Sequence, residues 1–165
     1  MILTNGDDAP DFELNSSPDQ TFRLSHMRGK RVILAFYPAD WSPVCGDQMA
    51  LYNETRKYFQ LHHAEIVGIS VDGTWCHHAF TKDRNLHFPL LADFEPKGYV
   101  SKLYGVYDAA SGQSRRALFV IDENGTIQWS ELSPDSINPG ADGILNALKN
   151  LNNEHNQASS EESRN

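Results

Sequence analysis

The run Pro38-Ala39-Asp40-Trp41-Ser42-Pro43-Val44-Cys45-Gly46-Asp47-Gln48 carries the residue types from which a reactive site can be built. It follows Arg31–Tyr37, a β-branched and apolar stretch of strand character, and leads into a helical pattern from Gly46 to His62. Cys45 therefore falls where a loop becomes a helix, beyond the carboxyl end of a buried strand, which is where open α/β sheets bind ligands. Unpaired backbone N–H groups and the positive end of the helix dipole favour a thiolate over a thiol at such a point. The thiolate is the nucleophile, so the placement can create reactivity at neutral pH. Ser42, three residues earlier, brings a hydroxyl that donates or accepts a hydrogen bond. Pro38 and Pro43 restrain the loop. Position alone leaves a blander reading open, an inert buried cysteine. Thiol–disulfide exchange of the Cys-x-x-Cys kind is disfavoured, because position 48 is Gln.

The surrounding chain has 165 residues, 22 Asp and Glu against 14 Lys and Arg, a formal net charge of −8, and 39% hydrophobic residues. This is the composition of one soluble domain able to fold without disulfide or metal. Its acidity argues against a nucleic-acid partner, since phosphate-backbone binding draws on Lys and Arg clusters. There is no apolar run long enough to span a membrane, and the start MILTNGDDAPDF has no signal-peptide pattern. Two cysteines, Cys45 and Cys76, cannot make a secreted disulfide framework, so the expected compartment is the cytoplasm.

Strand and helix signals alternate along the chain. Phe12–Leu14 and Thr21–Leu24 predict an N-terminal hairpin around Pro18. Glu65–Val71 reads as a second buried strand, residues 74–85 as a helix, Phe88–Ala92 as a short apolar segment and Lys97–Leu103 as a short helix. Arg116–Asp122 and Thr126–Glu131 flank Asn124-Gly125, a strong hairpin signal. Ile144, Leu145, Leu148 and Leu151 give the stripe of a closing amphipathic helix. The strand–helix–strand unit requires 31–37 and 65–71 to be parallel with a right-handed crossover. The later hairpin extends that sheet antiparallel. The expected fold class is α/β, a three-layer sandwich around a mixed sheet with an N-terminal hairpin extension. Residues 1–151 form the domain, and the polar stretch 152–165 is expected to be a disordered tail.

Phe36–Cys45 resembles the active-site signature of the peroxiredoxin family, Pro-x-x-x-Thr/Ser-x-x-Cys, of the alkyl hydroperoxide reductase and thiol-specific antioxidant type. Ile69-Ser70-Val71-Asp72 followed by Phe88-Pro89-Leu90-Leu91-Ala92-Asp93 is similar to the family's central segment. Arg116-Ala117-Leu118-Phe119-Val120-Ile121-Asp122 is similar to its Arg-x-x-Phe-x-Ile-Asp strand. The resemblance runs from about residue 3 to residue 150 and implies a thioredoxin-like fold and a thiol-dependent peroxidase. It gives Cys45 the peroxidatic role, in which the sulfur attacks a peroxide oxygen and becomes sulfenic acid. Ser42 takes the position of the Thr that hydrogen-bonds the peroxide, Pro38 shields the sulfur, and Arg116 stabilises the thiolate and the developing charge. Strand alternation supports the choice of Arg116 over Arg115. Three departures stand out: Ser for Thr at 42, Gly where many relatives have Thr at 46, and Gln rather than Glu at 48. The last removes a carboxylate that could steer Arg116.

The family divides by how the sulfenic acid is resolved. Neither the C-terminal stretch nor position 50, an Ala, supplies a second cysteine, so only Cys76 remains as a possible resolving residue. Cys76 and Cys45 follow parallel strands at one edge of the sheet, about 10 Å apart by expectation, against the roughly 4.4–6.8 Å between Cα atoms of a disulfide. Two routes stay open: a Cys45–Cys76 disulfide, or one-cysteine chemistry with an external thiol. The resemblance implies a peroxide substrate, a reductant such as thioredoxin, glutaredoxin or a low-molecular-weight thiol, a homodimer, and no metal, haem, flavin or selenium. Cys76-His77-His78 with His62-His63 does not make a complete metal-ligand set. Trp41 and Trp75 flank the cysteines, either as ordinary packing or as an apolar collar for organic hydroperoxides. The expected function is reduction of hydrogen peroxide and small organic hydroperoxides. The alternatives are a peroxide-sensing thiol relay and a scaffold with an inert cysteine.

Overall fold

The structure, a computed structural model, describes residues 1–162. β1 (Glu13–Ser17) and β2 (Gln20–Arg23) form the N-terminal hairpin, and a 3-10 turn over Leu24–Met27 leads out of it. Then come β3 (Arg31–Phe36), α1 (Pro43–Leu61), β4 (Ala64–Ser70), α2 (Thr74–Arg84), β5 (Leu90–Ala92) and α3 (Tyr99–Leu103). A small hairpin of β6 (Tyr107–Asp108) and β7 (Gln113–Ser114) precedes β8 (Arg116–Ile121), β9 (Ile127–Ser133) and α4 (Asp142–Glu162).

Seven of these strands join in one sheet, in the order β2-β1-β5-β4-β3-β8-β9. β3 pairs parallel with β4, and β4 with β5, while β8 and β9 extend the sheet antiparallel, as the strand–helix–strand and Asn-Gly signals require. β3 is central, and all six of its residues are buried. Its side chains alternate between two cores. Ile33 and Ala35 face Met49, Tyr52 and Phe59 of α1 and Ile144 and Leu148 of α4. Val32, Leu34 and Phe36 face Leu24, Val100 and Tyr104 on the other side. There Phe36, Tyr104 and Phe119 meet with ring centroids 5.2 to 5.6 Å apart. The three-layer sandwich follows.

Two boundaries differ from the sequence reading in ways that matter for the site. α1 begins at Pro43, not Gly46, because Ser42 is its N-cap and Pro43 fits the first helical position. Cys45 thus lies inside the first turn. α4 runs over Asp142–Glu162, past the boundary expected at residue 152. Asn152 is fastened there: its Oδ1 accepts from Arg31 at 2.6 Å, and its Nδ2 lies 2.6 Å from His62 Nδ1. Ser163–Asn165 of the expected tail lie outside the described residues. Among the described residues, no helix is long and apolar enough to cross a membrane.

Parallel pairing of β3 and β4 brings the first turns of α1 and α2 to the same edge of the sheet. Cys45 and Cys76 occupy those turns.

Candidate active site

The loop between β3 and α1 is fastened at each end. Tyr37 N–H donates to Ile69 O at 3.0 Å, and Asp40 N–H donates to Asp72 Oδ2 at 2.9 Å. Trp41 takes φ 71°, a left-handed conformation that costs a bulky residue about 1–3 kcal/mol and persists only where neighbours hold it. Its ring packs edge-on against Phe80 of α2 at 5.3 Å. Pro38, half-buried, directs the chain out of β3. Ser42 then caps the helix: its Oγ accepts the Cys45 N–H at 3.3 Å, and its carbonyl accepts the Gly46 N–H at 2.9 Å. Because the Ser42 oxygen is the acceptor here, its proton remains available to a further partner.

Cys45 is fully buried. The sulfur is not surrounded by hydrocarbon alone. Arg116, 1% exposed at the start of β8, donates from Nη2 to Cys45 Sγ at 3.3 Å. The same guanidinium donates from Nη1 to Gln48 Oε1 at 2.6 Å, and from Nη2 and Nε to Asp135 O at 2.8 and 3.2 Å. Gln48 and Asp135 O offer neutral oxygens, and among the described residues Arg116 makes no ion pair with a carboxylate. A buried cation is costly unless paired. Among the groups in contact with this one, the Cys45 sulfur is the one that can carry a negative charge. Arg115, next along the chain, is exposed, as strand alternation requires.

Cys76 stands in a different environment. Its Sγ lies 3.9 Å from Asp72 Oδ1, and burial, followed by the charges of Asp40 and Asp72, pushes the thiol up to about 11. It is therefore a thiol at neutral pH. Both cysteines are free. Trp75, 71% exposed, points away from the core and packs edge-on against His78 at 5.9 Å.

Sequence reasoning missed a buried polar network beneath the loop. Tyr37 donates its hydroxyl to Asp40 Oδ1 at 2.6 Å. Asp40 Oδ2 lies 2.7 Å from His77 Nδ1, and His77 Nε2 lies 3.1 Å from Leu91 O. Ser70 Oγ donates to Asp72 Oδ2 at 2.5 Å. Ligand atoms of Asp40, Asp72 and His77 lie within 4.8 Å of one another, a convergence that the adjacent-histidine reading did not find. These contacts tie β4, α2 and β5 to the loop. The available signal was spacing: His77 lies three residues before Phe80 on α2 and shares its inward face.

Residues 5–130 match the model of the AhpC/TSA family. The chain belongs to this family. Peroxiredoxin 2 of Thermoplasma acidophilum is 34% identical over 152 residues, covering 88% of this chain and 75% of that protein. The reduced 2-Cys peroxiredoxin of Plasmodium vivax superposes with a TM-score of 0.85 at 28% identity, covering 93% of this chain and 84% of that one. AhpC of Mycobacterium tuberculosis gives 0.83 at 26% identity, with 93% and 96% covered. The chain is thus a peroxiredoxin of thioredoxin-like fold and a thiol-dependent peroxidase.

Proposed function

We propose that this peroxidase reduces hydrogen peroxide and small organic hydroperoxides through Cys45, and that an external thiol completes the cycle. The thiolate attacks one peroxide oxygen and forms an S–O bond as the O–O bond breaks. The leaving oxygen takes a proton and departs as water or alcohol, leaving Cys45 as sulfenic acid. A first reductant thiol displaces that hydroxyl as water and forms a mixed disulfide. A second thiol releases Cys45 and leaves with the oxidised reductant. The 3.3 Å contact between the buried Arg116 guanidinium and the Cys45 sulfur carries this reading. Charge spreads over sulfur and both oxygens in the attack, and fixed donors lower the barrier without reorganising. Arg116 and the free Ser42 proton are those donors, and Pro38 limits water at the sulfur. Thioredoxin, glutaredoxin and low-molecular-weight thiols are the reductant classes, and a homodimer in the cytoplasm belongs to the same reading.

The external-thiol route is preferred because Cys76 is held in its unreactive form against Asp72. The competing route, in which Cys76 resolves Cys45 directly, draws support from the shared sheet edge of α1 and α2. Mass spectrometry after peroxide and dimedone treatment separates them. The expected result is a dimedone adduct on Cys45 in the wild type and in Cys76→Ser alike, with turnover retained in the variant. A Cys45–Cys76 disulfide in the wild type, with turnover lost in Cys76→Ser, would establish Cys76 as the resolving residue.

A further inference from the structure

We propose that Tyr52 is a positioning residue for Arg116, acting through the Gln48 side chain. The inference rests on the roles given to Cys45 and Arg116 above and adds a residue that touches neither sulfur nor peroxide.

Gln48 and Tyr52 lie one turn apart on the inner face of α1, and both are fully buried. Gln48 Oε1 accepts from Arg116, its Nε2 donates to the Tyr52 hydroxyl oxygen at 2.9 Å, and that hydroxyl donates to Gly140 O at 3.1 Å. The three bonds run in one direction. The hydroxyl proton is committed to the Gly140 carbonyl, so the Tyr52 oxygen faces Gln48 as an acceptor. That fixes the amide with its nitrogen towards Tyr52 and its oxygen towards Arg116. The opposite orientation would set amide N–H groups against a guanidinium that also has only donors, and would leave Arg116 without its shortest contact. Burial, the largest influence on Tyr52, pushes its phenol well above the ordinary range, so the proton stays in place.

The connection between β9 and α4 closes the arrangement from the other side. Its Asp135 carbonyl takes two bonds from Arg116, and its Gly140 carbonyl takes the Tyr52 proton. One segment thus holds the guanidinium directly and also fixes the amide that orients it. Where a carboxylate stands in place of Gln48, its two oxygens are equivalent and both accept, so no neighbour is needed to choose between them. Dependence on Tyr52 is specific to the amide.

That difference supplies the test. Rates of Cys45 oxidation by hydrogen peroxide are measured by stopped flow for the wild type, Tyr52→Phe, Gln48→Glu and the double variant, with thermal midpoints recorded for all four. Tyr52→Phe is expected to lower the second-order rate constant about tenfold, the scale of one unsatisfied buried hydrogen-bonding group. The double variant is expected to differ from Gln48→Glu by no more than about twofold, because the two sites are coupled. The midpoints serve as a check, since loss of packing alone would lower rates in both backgrounds. An equal drop in both, or no drop in Tyr52→Phe, overturns the proposal. Turnover by Cys45→Ser would overturn the underlying reading instead.

Discussion

Cys45→Ser is expected to reduce peroxide turnover to the uncatalysed background. The substitution keeps the shape of the side chain and the Ser42 cap on the backbone N–H of residue 45, but replaces an ionisable thiol with an alcohol that stays protonated. An unactivated hydroxyl is a weak nucleophile. Cys76, in the first turn of α2, is not expected to take over, because it is kept as a thiol beside Asp72. The fold should persist: Arg116 retains Gln48 and Asp135, losing only its contact to sulfur. Steady-state peroxide consumption with an external thiol, alongside circular dichroism, checks both halves. Turnover retained by a folded variant would rule out the cysteine mechanism.

The second large effect belongs to Arg116. Arg116→Met removes the guanidinium while keeping much of its volume, and the second-order rate of Cys45 oxidation is expected to fall by about 10²–10³, the range for losing a preorganised donor. The guanidinium touches the sulfur in the resting protein and, in the proposed attack, faces the charge that spreads over the oxygens. Lysine is not an adequate substitute. Arg116 engages three partners from a planar fork, and a single ammonium cannot reproduce those directions. Arg115→Met is the control. It removes the same charge one residue away on the exposed face and is expected to change the rate by no more than about twofold, as surface charges act weakly. Stopped-flow traces for the pair decide the matter: similar losses in both would mean that net charge, rather than the bond to sulfur, sets the rate.

The parts of this site that were legible in the sequence are those encoded locally. Pro38, Ser42 and Cys45 fall within eight consecutive residues spanning the loop after β3 and the first turn of α1, and the Arg-x-x-Phe spacing singles out Arg116 from its neighbour. The sheet is legible for the same reason, since β3, β4 and β8 each carry their own run of apolar or β-branched residues and the Asn124-Gly125 turn sets β9 beside β8. What escaped was long-range or dependent on caps. The sequence reads Ser42 as a candidate peroxide-binding hydroxyl, whereas its place as N-cap emerges only with the position of Pro43. Gln48 was noted for the charge it lacks. Its bonds to Arg116 and, through Tyr52, to Gly140 join residues distant in sequence that no local pattern connects. Asp40 and His77 likewise meet only because parallel strands bring their elements to one edge. Asn152 on α4 is bonded to Arg31 and His62, at the far end of β3 and the end of α1.

Stopped-flow tryptophan fluorescence of the wild-type protein mixed with micromolar peroxide is the decisive measurement of Cys45 reactivity, since Trp41 lies in the loop that leads into the helix turn of Cys45. Donors fixed around the sulfur are expected to give a rate constant at least about a thousandfold above that of free cysteine at the same pH. A rate no greater than that of free cysteine would contradict the proposed role of Cys45.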